Sequence, residues 1–252
     1  MIWVIAGTSD SKKIIDRLIA GKLPHIITTA TQLGGQSFKN YQNVFVQSMN
    51  GSEMVEFIEK KSIKLIIDAT HPFAYNVSNN AISAAAAKDI SYLRYERTRA
   101  EKKGVMAFEN YECVSDELKN SDGNVLLTIG VKNLSYFSEI DRARLFVKIL
   151  PIGSSFAECE KHKIQENNII AIKGIISVAL LRSIIREFNI KHIVMKDSGN
   201  EGGTELKIKA CKKEGIKSYI IKRRELTYPE VYEHIDKLIN RVKECVMAGN
   251  GI

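Results

Sequence analysis

The sequence predicts an α/β protein with two doubly wound parallel-sheet domains. Short, continuous apolar runs alternate with helical segments along the chain, and the alternation restarts after a turn-rich junction at residues 121–124. Runs of Val, Ile and Leu bounded by turns are typical of parallel strands buried on both faces. The 252 residues, 44% of them apolar and 26% charged, suffice for two ordinary domains. We therefore expect one domain at residues 1–123 and a second at residues 124–252, with a cleft between them.

In the first half, apolar runs predict four strands and helical spacing predicts three helices. The strands are expected at residues 1–6, 26–30, 44–46 and 65–69. Apolar residues recur at helical spacing at positions 14, 15, 18 and 19, and again at positions 54, 55, 57 and 58. The third helix, residues 73–88, is rich in alanine and follows Pro72, a residue suited to a first helical turn.

In the second half, the same alternation predicts five strands and five helices. The strands are expected at residues 125–129, 145–150, 169–172, 192–195 and 218–221. The helices are expected at residues 131–137, 156–162, 175–188, 205–214 and 229–246. The last helix carries an apolar face. Since alternating strands and helices require right-handed crossovers, both halves predict mainly parallel sheets covered on both faces.

Positive charge is concentrated in the second half of the chain. The formal net charge is +8, and residues 124–252 hold 22 Lys and Arg against 15 Asp and Glu. Such a basic half indicates an anionic partner: a nucleic acid, a phosphate or a polycarboxylate. A solvated, lysine-rich helix face is the alternative interpretation. The charges are densest at residues 207–224. Because we see no set of stacking aromatic residues interleaved among these charges, we expect no nucleic-acid partner.

Several classes of protein are excluded by the sequence. No run approaches the roughly 18 apolar residues of a membrane-spanning helix, so we expect no membrane association. The four cysteines lie 46, 52 and 34 residues apart without a C-x-x-C pair, which argues against a disulfide scaffold or zinc ribbon and favours a cytoplasmic protein. Neither a Walker A loop, a G-x-S-x-G elbow nor an H-E-x-x-H motif is present, and we expect no metal site.

A first group of candidate binding residues follows the first strand. Ligands of open α/β sheets gather at the carboxyl ends of the strands, so these positions are informative. Gly7, Thr8, Ser9 and Asp10 combine a glycine that permits a tight turn with hydroxyls at a helix N-terminus, where anions bind. Only one glycine of the G-x-G-x-x-G pattern is present. Helix capping by Ser9 or Asp10 is therefore an open alternative.

A second group follows the strand at residues 65–69. It consists of Asp68, Thr70, His71, Pro72 and Phe73. A histidine at a strand end can hydrogen-bond a ligand or move a proton near neutral pH. Alternatively, Thr70 or His71 caps the next helix while Asp68 braces the turn. The concentration of Asp, Thr and His before a proline favours the functional interpretation.

Further candidates follow three strands of the second half. They are Ser154 and Ser155, then Lys173 and Gly174, then Lys196, Ser198 and Gly199. The hydroxyls, cations and glycines of these turns can bind an anionic ligand and let it approach the backbone. Flexible turns between elements are the alternative.

Five segments, residues 5–10, 68–74, 92–94, 96–97 and 196–199, resemble the precorrin-6A reductase family of cobalamin biosynthesis. The D-A-T-H-P-F-A block at residues 68–74 is the most specific, and the resemblance extends to about Arg223. The chain departs from the common family pattern at Ala6, Asp10 and Lys12, where a second glycine, a glutamate and an arginine are usual.

The resemblance implies a two-lobed, Rossmann-like fold and an NADH- or NADPH-dependent reduction of one double bond in precorrin-6A or cobalt-precorrin-6A. Our hypothesis places the dinucleotide across the first half and the tetrapyrrole on the second. The catalytic candidates are His71, Asp68 and Lys196. The cofactor-binding candidates are Gly7, Thr8, Ser9, Asp10, Thr70, Pro72 and Phe73. The substrate-binding candidates are Ser154, Ser155, Lys173, Gly174, Ser198 and Gly199.

The charge distribution is independently suited to such a substrate. A tetrapyrrole with acetate and propionate arms is polyanionic, and charge-assisted hydrogen bonds to carboxylates are about twice as strong as neutral ones. Two other functions stay open: a dinucleotide-dependent oxidoreductase or epimerase on another polyanionic metabolite, and a non-catalytic ligand- or nucleic-acid-binding protein. Residues 30–34 after the second strand offer neither an acidic residue nor an arginine, so NADH and NADPH are not distinguished.

Overall fold

The computed structural model describes residues 1–97, 104–199 and 202–248. The chain divides into two units, and each is built around its own parallel sheet. The first unit is Met1–Arg97 together with the segment that begins at Glu225, and the second unit is Thr98–Arg224.

Most strands and helices of the described residues alternate as the sequence predicts. The sequence did not predict the helices at residues 32–37 and 111–119 or the strands at residues 91–95, 106–108 and 231–232. The strands are β1 (Ile2–Ile5), β2 (His25–Thr29), β3 (Val44–Val46), β4 (Leu65–Asp68), β5 (Ser91–Tyr95), β6 (Met106–Phe108), β7 (Asn124–Thr128), β8 (Leu145–Ile149), β9 (Ile169–Ala171), β10 (Ile190–Lys196), β11 (Lys217–Ile221) and β12 (Val231–Tyr232). The α-helices are α1 (Ser9–Ala20), α2 (Gln32–Ser37), α3 (Gly51–Lys60), α4 (Tyr75–Ala87), α5 (Tyr111–Lys119), α6 (Gly153–Lys161), α7 (Val178–Glu187), α8 (Thr204–Glu214) and α9 (Ile235–Ala248). Short 3₁₀ helices cover Val131–Phe137, Arg142–Arg144 and Glu166–Asn168.

The sheet of the first unit has the strand order β3-β2-β1-β4-β5-β12, and its pairs are parallel. The chain therefore builds outward from β1 in one direction and, after β3, returns to build outward from β4 in the other. This is the order of doubly wound sheets that bind dinucleotides, and their ligands lie where the order reverses. In the first unit that point lies between the carboxyl ends of β1 and β4.

The sheet of the second unit repeats this order with β9-β8-β7-β10-β11-β6, again in parallel. Its order reverses between β7 and β10. In each sheet, the sixth position is taken by a strand that follows the fifth strand of the other unit in the chain: β6 follows β5, and β12 follows β11.

Side chains of β1 alternate between two apolar cores, one on each face of the first sheet. Ile2 and Val4 belong to the core that α1 and α9 cover. Trp3 and Ile5 belong to the core that α3 and α4 cover. Trp3 also donates its indole N–H to Thr28 Oγ1 at 2.8 Å. Helices on both faces are what the uninterrupted apolar runs predicted, and two parallel-sheet α/β units confirm the predicted fold class.

Two predicted helices differ from the structure. Residues 229–246 were expected to form one helix, but Val231–Tyr232 form strand β12 and the helix begins at Ile235. Pairing of Val231 and Tyr232 with β5 outweighs the helical spacing of the apolar residues. Residues 131–137 form a 3₁₀ helix instead of an α-helix.

The division of the chain also differs from the predicted boundary at residues 123 and 124. Residues 104–123 lie in the second unit because β6 pairs with β11. Residues 225–248 lie in the first unit because β12 pairs with β5, and because α9 packs on the same apolar core as α1. Local apolar patterns do not reveal which sheet an edge strand joins. No helix in the described ranges combines the length and the apolar character that a membrane crossing requires.

Candidate functional site

The turn between β1 and α1 is closed by a reciprocal cap. The backbone N–H groups of Gly7 and Thr8 donate to Ser11 Oγ at 3.2 and 3.1 Å, and the N–H of Ser11 donates to Thr8 Oγ1 at 3.3 Å. The hydroxyls of Ser11 and Thr8 donate in turn to the carbonyl of Ala69, at 2.9 and 3.1 Å. This turn is thus bonded directly to the end of β4, where the strand order reverses.

The first turn of α1 is suited to an anionic group. Thr8 and Ser11 complete the capping box, and the amides of Ser9 and Asp10 remain at the positive end of the helix. A Cβ placed on Gly7 would meet no heavy atom within 4 Å, so the space beside this residue is open. The residues present therefore fit the pyrophosphate of a dinucleotide, which binds at such helix N-termini. Capping is performed by Thr8 and Ser11, so Ser9 and Asp10 do not provide the cap considered in the sequence analysis.

Asp10 is held by an arginine that the sequence analysis did not select. Its carboxylate is 1% exposed and accepts a hydrogen bond from Arg97 Nε at 2.6 Å. Arg97 Nη2 also donates to Ser9 Oγ at 3.3 Å. The Asp10 side chain therefore anchors Arg97 at the N-terminus of α1, and only its backbone amide is available to an anion.

Asp68, at the end of β4, accepts five hydrogen bonds in a fully buried network. Its Oδ1 accepts from the Thr70 amide at 3.0 Å, from Thr70 Oγ1 at 2.7 Å and from Arg94 Nη1 at 2.8 Å. Its Oδ2 accepts from Ser78 and Tyr92 hydroxyls, each at 2.6 Å. These donors come from the turn after β4, from α4 and from β5.

This network keeps Asp68 charged. Burial alone would raise the pKa of the Asp68 carboxyl, but the Arg94 charge and the hydrogen bonds from Ser78, Tyr92 and Thr70 outweigh it and hold the pKa below its usual range. A carboxylate without exposed surface and with its lone pairs occupied braces the turn. Of the two interpretations of Asp68, the structure favours bracing over proton transfer.

Arg94 completes the support of this turn from β5. Its Nη1 donates to Thr70 Oγ1 at 2.9 Å as well as to Asp68, and its Nε donates to Glu96 Oε2 at 2.9 Å. Its guanidinium lies 5.4 Å from the ring centre of Tyr228. Sequence reasoning missed Arg94 as a functional residue, although an arginine inside the otherwise apolar segment S-Y-L-R-Y was a detectable signal.

His71 is oriented by the backbone that follows it. Its Nδ1 accepts the N–H of Phe73 at 3.2 Å, so the proton of the neutral imidazole lies on Nε2. The half-buried imidazole lies 5.9 Å from the Phe73 ring, which lies 5.7 Å from that of Tyr75. Ala74 precedes α4 without a side-chain cap, so neither Thr70 nor His71 caps this helix. The turn that carries these five candidates is joined to the capped turn of β1 and α1 through the carbonyl of Ala69.

The candidates of the second unit lie at the carboxyl end of its sheet. The Nζ atom of Lys196 lies 3.9 Å from where a Cβ on Gly130 would stand, which places it where the order of this sheet reverses. Burial lowers the pKa of Lys196 to about 8. The Ser198 amide donates to Thr204 Oγ1 at 3.1 Å, and Thr204 Oγ1 donates to the Lys196 carbonyl at 3.3 Å. These bonds fix the loop that carries Lys196, Ser198 and Gly199.

The remaining candidates differ in exposure. Ser154 and Lys173 are exposed, whereas Ser155 is buried in the first turn of α6. Gly174 adopts a φ of +92°, a conformation that favours glycine, and its carbonyl accepts from Lys148 Nζ at 3.3 Å. Lys148 was not selected from the sequence. In the described residues, no group of three or more His, Cys, Asp and Glu side chains is arranged to hold a metal ion.

Sheets of this strand order, with a capped glycine turn where the first sheet reverses, define a protein of the Rossmann-like class. Residues 1–243 match the family described as precorrin-6x reductase CbiJ/CobK. The chain belongs to this family of oxidoreductases, and the resemblance found in the sequence is confirmed.

Individual relatives agree with this assignment over nearly their whole length. The cobalt-precorrin-6A reductase of Methanococcus maripaludis is 35% identical over 247 residues, 96% of this chain and 98% of the relative. The enzyme of the same description from Priestia megaterium is 28% identical over 251 residues, 95% of this chain and 97% of the relative. A solved structure described as CobK precorrin-6A reductase has a TM-score of 0.80 and 18% identity, and covers 97% of this chain and 96% of that one. At this identity, the structural match concerns the fold.

Proposed function

We propose that this protein reduces a ring double bond of precorrin-6A or cobalt-precorrin-6A, with NADH or NADPH as the hydride donor. The observation that carries the proposal is the turn from Gly7 to Ser11, which offers helix amides and open space where the first sheet reverses, in a member of a precorrin reductase family. All four cysteines have free thiols, which supports our proposal of a reducing, cytoplasmic location.

In this proposal, the first unit holds the dinucleotide. The amides of Ser9 and Asp10 bind the pyrophosphate, and Gly7 lets it approach the backbone, because a side chain there would occupy the space beside the helix. Thr8 supports the turn through its cap. Thr70, Pro72 and Phe73 line the adjoining strand end. When bound, the reduced nicotinamide supplies the hydride, and the protein supplies orientation and charge.

We assign the proton to His71. In the neutral ring, Nδ1 accepts the Phe73 amide and Nε2 carries the hydrogen. To act as an acid, the ring first takes up a proton from solvent at Nδ1 and releases that amide. The imidazolium then gives its Nε2 proton to the substrate and returns to a neutral imidazole. Correct positioning alone lowers a barrier by roughly 7–11 kcal/mol, and a general acid adds about 100-fold or more. His71 therefore accelerates the reaction without being obligatory. Asp68 acts as a positioning residue through Thr70 and the turn that carries His71.

The second unit binds the tetrapyrrole through its carboxylate arms. Lys196 and Lys173 are the cations assigned to this role. The hydroxyls and glycines assigned beside them are Ser154, Ser155, Ser198, Gly174 and Gly199. The charge distribution supports the assignment, because net positive charge is concentrated in the half of the sequence that forms most of this unit.

A direct assay tests the proposal. Purified protein is mixed with NADH or NADPH and with precorrin-6A or its cobalt form, in all four combinations. We expect the absorbance of the reduced nicotinamide to fall together with a change in the visible spectrum of the tetrapyrrole, one dinucleotide being consumed for each ring. If no combination changes the tetrapyrrole spectrum, the proposed function is wrong.

A further inference from the structure

Three lysines lie together at the carboxyl end of the second sheet. Lys148 is in β8, Lys196 is the last residue of β10 and Lys207 is in α8. They are 59 residues apart at most in sequence, but β8 and β10 both pair with β7, so the ends of these two strands flank the same neighbour. Helix α8 follows β10 in the chain and contacts both β10 and β11. We call these residues the lysine cluster; each side chain is half-buried.

Glycine turns surround the lysine cluster. Gly130, beside Lys196, has a φ of +84°, and Gly174, whose carbonyl accepts from Lys148, has a φ of +92°. A Cβ on Gly174 would meet no heavy atom within 4 Å, so the surface beside it is open. A ligand can therefore approach the backbone at these turns.

The lysine cluster places positive charges close to one another. Burial, together with the charges of Lys148 and Lys196, lowers the pKa of Lys207 to about 8. The other group that acts on Lys207 is the thiol of Cys211, and burial raises the pKa of this thiol to about 12. A neutral thiol does not offset the lysines. Lys207 also stands near the positive end of α8, where a cation is unfavourable.

Such an arrangement favours an anionic ligand, because an anion among the three ammonium groups lowers their mutual repulsion. Partly desolvated ammonium groups repel one another, and perturbed titration of this kind is concentrated at functional sites. Ile175 adds an apolar surface to the same region: it is 56% exposed, follows Gly174 and stands 2.8 Å from where a Cβ on Gly203 would be. Cations beside an exposed apolar residue match a flat, apolar ring with acidic arms.

We propose that Lys148, Lys196 and Lys207 form an oxyanion site that holds neighbouring carboxylates of the tetrapyrrole, with Ile175 against the ring. The inference rests on the proposed function and adds Lys148, Lys207 and Ile175 to the substrate site. The phosphate groups of a dinucleotide are also anionic oxygen acceptors, so they are the alternative ligand of these lysines. Separate lysine ammonium groups on three elements suit several singly charged arms spaced along a ring.

Binding of a stable probe tests the site without requiring turnover. The probe is uroporphyrin III, a tetrapyrrole whose arms are acetates and propionates, and NADH, NADPH and inorganic phosphate are titrated in parallel. Lys148→Gln and Lys207→Gln are each expected to raise the Kd of uroporphyrin III about tenfold and to leave the Kd of both dinucleotides unchanged. The control is Lys209→Gln, on the exposed side of the same helix, which should change neither Kd.

The opposite outcomes overturn the inference. Weaker binding of the dinucleotides and phosphate, with an unchanged Kd of uroporphyrin III, would assign the lysine cluster to a phosphate. If no variant changes the Kd of any of these ligands from its wild-type value, the lysine cluster is a solvated surface and not a binding site. If the wild-type protein binds uroporphyrin III through these lysines but reduces no precorrin, the proposed function fails and the oxyanion site stands. If it reduces precorrin and the variants keep the wild-type KM, the site alone fails.

The number of protons taken up on binding distinguishes a lysine that contacts the ligand from one that only stabilises the fold. Near pH 8, Lys196 and Lys207 are partly deprotonated, and bound carboxylates would favour their charged forms. Calorimetry in two buffers of different ionisation enthalpy should therefore show protons taken up with uroporphyrin III, and less uptake in Lys207→Gln. Lys207→Arg should restore affinity while reducing uptake, because arginine is already charged. Equal uptake by wild type and Lys207→Gln would contradict the site.

Discussion

Arg94 Nη1 lies 2.8 Å from Asp68 Oδ1, in an ion pair in which neither side chain is more than 1% exposed. Both residues also bond Thr70, so the pair fixes the backbone just before His71. Two buried charges are costly to desolvate, and they are tolerated here because hydrogen bonds surround the carboxylate. The pair therefore links the packing of β4 and β5 to the geometry of the candidate site.

Arg94→Met should strongly destabilise the protein, because the Asp68 carboxylate would stay buried without its partner. Loss of one member of a buried pair costs about 3–5 kcal/mol. We expect a decrease of this size in the free energy of unfolding in urea. The matched control is Arg17→Met, which breaks the exposed pair with Asp236 and should cost about 0–1 kcal/mol. Equal losses in the two variants would contradict a special role for the buried pair.

The same pair predicts a pH dependence of stability. The pKa of Asp68 is lower in the folded protein than its usual value of about 3.9 in the unfolded chain. Its contribution to stability is thus complete above that value and is lost as the pH falls through the folded-state pKa. The difference in unfolding free energy between wild type and Asp68→Asn should therefore be constant near neutral pH and shrink below about pH 4. A difference that grows in acid would contradict the depressed pKa.

His71→Ala tests the proposed proton donor. We expect kcat at saturating dinucleotide to fall about 100-fold, because the general acid is lost while positioning persists. His25→Ala is the control: His25 starts β2 at the opposite end of the same sheet and bonds the Leu23 carbonyl. Its reductase activity should match wild type. Unchanged kcat and KM in His71→Ala would remove this residue from the mechanism.

Gly7→Val tests the dinucleotide turn. No atom stands within 4 Å of the added Cβ, so stability should change little, whereas the Kd of the dinucleotide should rise about tenfold or more because the side chain fills the open space. Gly51→Val makes the same change at the start of α3, away from the point where the sheet reverses, and should leave that Kd unchanged. Equal affinities in both variants would place the dinucleotide elsewhere.

Lys196 predicts a pH-dependent affinity for the substrate. Its pKa is lowered to about 8, so it loses its proton near that pH, and carboxylates then bind more weakly. The KM of the tetrapyrrole should rise above pH 8, with little change in kcat. Lys196→Arg should flatten this profile, and Lys196→Gln should raise KM below pH 8 and approach the wild-type KM above it. If the Lys196 variants lower kcat and leave KM unchanged, Lys196 does not bind the carboxylates of the substrate.

The central strands could be predicted from the sequence because both of their faces are buried. β1, β4 and β7 are continuous apolar runs for this reason. Two edge strands lack this signal: β6 is mostly exposed and β12 has only two residues, and neither was predicted. Their partners are set by pairing with β11 and β5, which local patterns do not record. The inner strand β5 was also not predicted, although its three central residues are buried.

The sequence predicted the residues of the candidate site that directly follow strands, but not those that the tertiary structure brings to them. Strand ends located Gly7, His71 and Lys196, because ligands of doubly wound sheets gather there. The bracing role of Asp68 was only one of two interpretations, since its donors come from α4, from β5 and from the turn after β4. Lys148 was not selected because it lies within a predicted strand and not after one. It lies near Lys196 because β8 and β10 are both neighbours of β7 in the sheet, which the sequence pattern does not show.

The central claim is that the first unit holds a reduced nicotinamide dinucleotide at the turn from Gly7 to Ser11. Calorimetric titration of the purified protein with NADH and with NADPH, alone and together with the tetrapyrrole, tests it most directly. We predict saturable binding of one dinucleotide per chain by at least one of the two, and loss of that binding in Gly7→Val. Absence of binding by both dinucleotides, with and without the tetrapyrrole, would contradict the account.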